Sequence, residues 1–481
     1  MKLNNTALFQ QSCYINGKWV LVKKTIKINN PATGEIIGTV PDLEPVNILD
    51  AISAADAAWP LWRSKTATER SELLYRWYTL ILDNINDLAL LLTLEQGKPL
   101  KEAMEEIRYG ASFIQWFAEE GKRVYGDIIP APLNKQHLFV SKQSVGVVGA
   151  ITPWNFPNAM ITRKCAPALA AGCTILLKPS VLTPFSALAL AVLAEKAGIP
   201  AGVFNVVTGD SELIGNIFTD SPSIRKISFT GSTTIGKLLM QKAANSVKKI
   251  SLELGGNAPF IVFDDADIDQ AILGAIASKF RNSGQTCICT NRFYVHEKIY
   301  AIFTKKLAHA IQQLKVGSGL EDNIQIGPLI NAAAIKKVEK HIADALQQGA
   351  ELVYGGKIHT LGGNFFQPTL LKNCTDKMLI AKEETFGPVA ALFKFSEEQE
   401  VMHLANATEF GLAAYFYTQS VNRVIHVAEQ LDYGIVGINT GHASNAVAPF
   451  GGFKQSGIGR EGSKYGIEDY LEIKYVCLNT N

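Results

Sequence analysis

Three side chains in this sequence could together perform acyl chemistry at a carbonyl carbon. Cys287 stands in S-G-Q-T-C, a run of small polar residues where a packed structural thiol is unusual. A thiolate attacks carbonyls well once its pKa is lowered or a base lies close. Glu253, in L-E-L-G-G, falls at the end of a predicted strand, and Asn155 lies in P-W-N-F-P. Brought together, they would supply a nucleophile, a carboxylate base and an amide donor for an oxyanion. Singly, each has an ordinary explanation: a cysteine is more often a core thiol, a strand-end Glu a solvated carboxylate, and an Asn before an aromatic-proline pair a turn. Spacing alone does not bring the three into one place.

Other chemistries find less support. Gly231 to Lys237 reads G-S-T-T-I-G-K, the glycine and lysine spacing of a phosphate-binding loop. That loop needs Ser or Thr after the lysine to hold Mg²⁺, and Leu238 stands there. F-T-G-S-T at 229–233 fits better as a strand and small-residue turn opening a helix, whose first amides can hold a pyrophosphate. No G-x-G-x-x-G follows a predicted strand. The eight histidines show no metal-ligand spacing, so no metal site is expected. The seven cysteines are scattered without a C-x-x-C pair, which argues against a disulfide framework.

These residues sit on recognisable elements. Apolar runs at 145–152, 173–177, 203–207, 226–229, 250–254 and 259–263 read as strands, with helices at about 159–171 and 184–197 between them. Strands joined by crossover helices make a parallel, doubly wound α/β sheet. A second α/β pattern opens with Asp267 as N-cap of a helix to about Phe280, followed by strands at 293–295, 390–394 and 413–417. The N-terminal part carries a long amphipathic helical region, 69–94, broken at D-N-I-N-D, and the boundary between the two α/β units falls near Gly255-Gly256. At 481 residues the chain has room for two to four domains. Its 46 Lys and Arg against 44 Asp and Glu leave no footprint for nucleic acid or anionic membrane. The longest largely apolar run, 165–177, is too short to span a bilayer, and M-K-L-N-N-T leads into no secretory segment, so a cytoplasmic protein is expected.

Seven motifs then occur in a telling order: P-W-N-F-P at 153–157, K-P-S at 178–180, F-T-G-S-T at 229–233, E-L-G-G-N at 253–257, G-Q-T-C at 284–287, E-E-T-F-G-P at 383–388 and P-F-G-G-F-K-Q-S-G at 449–457. In this series the chain resembles the aldehyde dehydrogenases over essentially its whole length. The resemblance implies that Cys287 attacks the aldehyde, that Asn155 and the Cys287 N–H hold the oxyanion, and that Glu253 activates the water that hydrolyses the thioester. Relatives that pass the acyl group to coenzyme A lack this glutamate, so a free acid is the implied product. For the dinucleotide, the resemblance places Lys178 and Ser180 at the adenosine ribose and Gly231 and Ser232 at the pyrophosphate. Glu384 falls at the nicotinamide ribose, Phe386 near the ring, and Ile151 and Trp154 in the cleft. NAD-preferring members often carry a Glu three residues after the motif lysine; Val181 stands there, so NADP is the implied cofactor, with NAD acceptable.

Three further runs, M-I-T-R-K at 160–164, F-R-N-S-G-Q-T-C-I-C at 280–289 and G-R-E-G-S-K-Y-G at 459–466, resemble the succinate-semialdehyde dehydrogenase branch. There Arg163, Arg281 and Ser444 would grip the distal carboxylate of the semialdehyde, a task suited to a guanidinium fork. The run G-H-A-S-N-A-V around Ser444 departs from the pattern at His442 and Ala446. In some relatives a cysteine at the position of Cys289 pairs with the nucleophile as an oxidation switch. The alternatives are another specificity, glutarate semialdehyde or betaine aldehyde, and a non-enzymatic structural member of the fold. The family fold implies a cofactor domain at 1–122 and 145–254, a catalytic domain at 255–456 and a β-extension from 123–143 and 457–481. An alternating segment at 470–476 suits an edge strand that joins subunits, so a homodimer or homotetramer is expected, and the branch suggests a place in 4-aminobutyrate catabolism.

Overall fold

The computed structural model describes residues 2–480, so Met1 and Asn481, the outer ends of the expected first and last segments, lie outside the described residues. Two large sheets organise the chain. The first has eight strands, in the order Lys18–Val20, Cys13–Ile15, Phe204–Val206, Thr174–Lys178, Val147–Ile151, Ile224–Thr230, Lys249–Glu253 and Gly457–Ile458. The five central strands are parallel. Their order along the sheet reverses between Val147–Ile151 and Ile224–Thr230, and a parallel sheet binds ligands outside the carboxyl ends of its strands at such a reversal. Val147–Ile151 and Thr174–Lys178 are buried almost throughout, which is why they read as unbroken apolar runs.

The second sheet has seven strands, in the order Glu351–Tyr354, Thr369–Lys372, Val389–Phe395, Thr290–His296, Ala258–Val262, Ala413–Tyr417 and Ile435–Ile438. Only the first pair is antiparallel. The chain crosses from one sheet to the other within residues 254–257, around Gly255-Gly256. A three-stranded sheet stands apart: Leu471–Asn479 pairs along its whole length with Gln136–Ser144, which also pairs Asp127–Ile129. Ile128, Ile473 and Tyr475 on it are exposed. Gly457–Ile458 belongs instead to the edge of the first sheet.

The helices follow the sequence signals closely. Ala159–Ala171 and Phe185–Lys196 cross over between first-sheet strands. Asp267 caps Ile268–Phe280 by accepting from the Asp269 and Gln270 amides at 3.0 and 3.1 Å. The 69–94 region is two helices, Ala67–Asp83 and Ile85–Gln96, broken at Asn84, and the first opens with a Thr66–Glu69 capping box. Composition alone did not flag the N-terminal strands Cys13–Ile15, Lys18–Val20, Thr25–Asn29 and Ile36–Pro41. They are short, and the two hairpins they form are mixed in exposure, so no clean alternation marks them. Among the described residues no helix is long and apolar enough to cross a membrane.

Candidate active site

A cavity of about 390 Å³ opens where the two sheets face each other. The first sheet contributes the turn after Val147–Ile151, with Trp154 and Asn155, and the turn after Ile224–Thr230, with Gly231 and Ser232. From the second come Cys287, three residues before its strand Thr290–His296, and Glu384 and Phe386, ahead of Val389–Phe395. Asn155 and Cys287, 132 positions apart in the sequence, thus line one space.

Close backbone approach makes this possible. A Cβ on Gly256 would strike the Cys287 carbonyl oxygen, and one on Gly284 would strike that of Gly387. Gly284 also has φ +75°, and Asn282 and Ser283 before it take left-handed φ of +51° and +56°. Asn155 donates one amide proton to the Gln285 carbonyl at 3.0 Å, while its Oδ1 is buried without a partner. The Cys287 thiol is half-buried, and desolvation pushes its pKa up to about 12; Glu384 and Glu253 reinforce the rise, while Arg163 and Arg281 oppose it.

Glu253, the last residue of its strand, is buried with Oε2 unpartnered. Burial, and then the charge of Glu461, push its carboxyl well above the usual range, against the pull of Arg163, Lys164 and Arg460. Glu461 itself is held low by Lys164 and Arg163, each 2.6 Å from it. Two buried carboxylates and two buried cations therefore share one compartment behind the cavity.

The expected cofactor residues fall in two places. Trp154 and Phe386 meet edge to face at 5.5 Å, and Phe386 takes a left-handed φ of +56°. Glu384 accepts from the Gly256 amide at 3.3 Å, and burial lifts its carboxyl to about 7. His341 clamps the same loop, with Nδ1 3.2 Å from the Thr385 hydroxyl and Nε2 3.1 Å from Glu383. Ser232 caps the helix Thr233–Ala243. Ile151 ends its strand in register with Lys178 and Phe229. Lys178 and Ser180 lie one strand further along and do not line the cavity with Cys287. The Lys178 ammonium bonds Ser211 Oγ at 2.6 Å, and burial lowers its pKa to about 8. Ser180 Oγ accepts from the Leu182 amide at 3.2 Å.

The three expected carboxylate-binding residues differ from one another. Arg163 is buried, paired with Glu461, and stacked over Phe450 at 3.9 Å. Arg281 is half-buried at the end of Ile268–Phe280, 5.3 Å from the Phe156 ring centre, and has no ion pair or hydrogen bond among the described residues. Ser444 Oγ bonds the Tyr109 hydroxyl. Cys289 is buried, with its sulfur 3.1 Å from the Lys279 ammonium nitrogen. Among the described residues no group of three or more His, Cys, Asp or Glu is placed to hold a metal ion.

Sequence reasoning missed Lys98, Glu106, Asn282, His341 and Glu461. Asn282 and Glu461 stand inside the runs 280–289 and 459–466 without being singled out, and Lys98 ends E-Q-G-K at 95–98, a polar run directly after the apolar L-A-L-L-L-T-L that the fold buries.

The aldehyde dehydrogenase family profile matches residues 19–476. The succinate-semialdehyde dehydrogenase [NADP(+)] GabD of Escherichia coli (strain K12) is 59% identical over 99% of this chain and 100% of its own. The glutarate-semialdehyde dehydrogenase of Pseudomonas aeruginosa is also 59% identical, over 99% of each chain. A crystal structure of the succinate-semialdehyde dehydrogenase of Burkholderia pseudomallei, 59% identical, superposes over 100% of both chains with a TM-score of 0.99.

Proposed function

The chain belongs to the aldehyde dehydrogenase family, and from that premise we propose that it oxidises succinate semialdehyde to succinate with NADP⁺. The observation that carries the reading is the convergence of Cys287 and Asn155 on one cavity; Glu253, whose Oε2 is buried and unpartnered, directly precedes the lining residue Leu254.

Cys287 Sγ bonds the aldehyde carbon, and the carbonyl oxygen becomes an alkoxide. Asn155, with one amide proton left over, and the Cys287 N–H stabilise that charge in a water-poor site. Arg163 and Arg281 favour the thiolate over the thiol. A nicotinamide held beside Trp154 and Phe386 would supply the hydride acceptor that the oxidation needs, and Cys287 then carries the acyl group as a thioester. Glu253 takes a proton from water, the hydroxide oxygen bonds the acyl carbon, and the C–S bond breaks to release the acid and the Cys287 thiolate, after which Glu253 gives up its proton to solvent. Burial raises the affinity of Glu253 for a proton, which makes its ionised form a stronger base.

The cavity fits a dinucleotide. Trp154 and Phe386 offer an aromatic wall, Glu384 a half-buried carboxylate for ribose hydroxyls, and Gly231-Ser232 the amides of a helix start for the pyrophosphate. In this reading Ile151, Lys178 and Ser180 extend the site beyond the cavity along the first sheet, with Lys178 and Ser180 taking the adenosine ribose. Val181 puts no carboxylate beside a 2′-phosphate, and the relative named for NADP(+) agrees.

Arg281, which has no ion pair among the described residues, supports an anionic substrate, with Ser444 and Arg163 completing the grip on the far carboxylate. A second reading, glutarate semialdehyde, is supported by the equal identity to the glutarate-semialdehyde dehydrogenase. One methylene is worth about 1–3 kcal/mol in a fitted pocket, so kcat/KM on the two semialdehydes separates them. Betaine aldehyde, a cation, is disfavoured by an unpaired guanidinium. The test is initial-rate measurement on succinate semialdehyde, glutarate semialdehyde, hexanal and betaine aldehyde with NADP⁺ and NAD⁺. A lead for hexanal or betaine aldehyde overturns the substrate assignment.

The reading extends to three domains, with Gly457–Ile458 joined to the first sheet rather than to the extension, to a homodimer or homotetramer joined through the exposed three-stranded sheet, and to cytoplasmic 4-aminobutyrate catabolism. It also includes reversible oxidation pairing Cys289 with Cys287. Peroxide-treated enzyme should show a dithiothreitol-reversible loss of two hydrogens on the peptide carrying both cysteines. Cys289 oxidised while Cys287 stays free would point to Lys279, which already engages that sulfur.

A further inference from the structure

The carbonyl of Asn155 is held from two distant segments at once. Lys98 Nζ donates to it at 2.8 Å, and Asn282 Nδ2 donates to it at 3.0 Å. Lys98 is paired with Glu106 at 2.5 Å and sits 3.8 Å above the centre of the Phe156 ring. The other oxygen of Glu106 accepts from the Asn158 and Ala159 amides at 2.9 and 3.2 Å. The turn that carries Asn155 is thus pinned at its carbonyl and again three residues on.

Asn282 belongs to the loop that carries Cys287. Its Nδ2 also donates to the Gln285 carbonyl, the same oxygen that receives the Asn155 side-chain amide. Its Oδ1 accepts from Gln96 Nε2 at 3.0 Å, and its backbone N–H donates to Glu102 at 2.8 Å. Gln96 in turn accepts from the Lys98 amide at 2.9 Å. Gln96, Lys98, Glu106 and Asn282 are all at least 97% buried, where each polar group costs free energy unless it is bonded. Only a corner between two helices, Ile85–Gln96 and Leu100–Glu120, brings these groups to both loops.

We propose that Lys98 and Asn282 are positioning residues: through the shared Asn155 and Gln285 carbonyls they lock the oxyanion donor in register with the Cys287 loop. The inference rests on the reading of Asn155 as that donor. Neither residue touches the cavity, so each acts only through Asn155 and the loop.

The test is a double-mutant cycle read as the first-turnover rate of NADPH formation from succinate semialdehyde and NADP⁺. Asn282→Gly is the main variant, because glycine accepts the φ of +51° and only the side-chain bonds are lost. Lys98→Met strands Glu106 in the interior and risks the fold, so the conclusion does not depend on it. Asn155→Ala should slow the first turnover by about 10²–10³. Asn282→Gly should slow it by about 10–10², the effect of a small misplacement. The double variant should stay within about threefold of Asn155→Ala alone, since both act through one donor. NADP⁺ affinity, followed by tryptophan fluorescence, should be unchanged in Asn282→Gly, whereas a general loosening of the fold would weaken it. A parental rate in Asn282→Gly, multiplicative losses in the double variant, or weakened NADP⁺ binding overturns the proposal. If Asn155→Ala itself turns over at the parental rate, the oxyanion reading fails and takes the proposal with it.

Discussion

The two large sheets present opposite ends to the same cavity, and the electrostatics differ accordingly. The first sheet offers the carboxyl ends of its strands, so the helices that follow point their amino ends toward the ligand side; Ser232 and Asp210 cap two of them. Such ends carry unsatisfied N–H groups and favour anions. The second sheet offers its amino ends. The Cys287 loop leaves the carboxyl end of Ile268–Phe280, where a cation is favoured, and Arg281 occupies that position. One side is built for phosphate and oxyanion. The nucleophile sits on the other, in a loop that follows the carboxyl end of Ile268–Phe280, and desolvation drives its thiol up to about 12. Activation of Cys287 must then come from side chains.

The largest expected effect tests that dependence. In the proposed reaction Glu253 is the base, and its carboxyl is raised well above the usual range, so it is proton-bound at low pH and gains basic form as pH rises. Hydrolysis of the thioester should therefore climb with pH, above the ordinary carboxylate range. Glu253→Gln should lose about 10²–10⁴ in steady-state rate and flatten that limb, while a first-turnover burst of NADPH survives. Because the raised Cys287 thiol also gains thiolate as pH rises, the test reads the hydrolysis step after the burst; a Glu253→Gln variant in which that step keeps its rise with pH would show that another group activates the water.

Arg281 comes next, because it expresses the cation preference of the second side. Loss of one charge-assisted bond to the substrate carboxylate is worth about 1.5–3 kcal/mol, so Arg281→Ala should lower kcat/KM on succinate semialdehyde by about 10–10². Hexanal, without a carboxylate, should be oxidised as before. Equal losses on both aldehydes would mean that Arg281 supports the loop or the thiolate rather than the substrate.

The same contrast explains what could be read in the sequence. Buried parallel strands such as Val147–Ile151 and Thr174–Lys178 announce themselves by unbroken apolar runs, and Asp267 marks its helix start by residue type. Cys287, Glu253 and Asn155 stand in short motifs at the loops where the sheets meet, so the resemblance could single them out. Lys98, Glu106 and Asn282 were illegible because their partners lie 57, 52 and 127 positions away. A buried lysine looks like a surface lysine until the fold supplies its carboxylate. Arg163 shows the converse: the resemblance suggested a ligand for substrate, and the fold also gives it Glu461.

The smallest expected effect probes the first side, where cofactor charge is to be met. Lys178 is buried and its ammonium is destabilised to about 8, with Asp210 offering partial relief. A 2′-phosphate beside it would favour the ammonium, so the bound lysine titrates higher than the free one. NADP⁺ affinity should then be fully developed below about pH 8 and fall as pH rises toward the bound value, by at most about tenfold per unit. NAD⁺ has no 2′-phosphate and should lose much less over the same range. Lys178→Met should weaken NADP⁺ by about tenfold, remove the difference in pH dependence, and leave the first-turnover rate at saturating cofactor unchanged. Fluorescence titrations with both dinucleotides at pH 7 and pH 9 read all of this directly. Parallel pH curves for NADP⁺ and NAD⁺ would mean that Lys178 serves the ribose common to both, and that the preference for phosphate is set elsewhere on the first sheet's carboxyl edge.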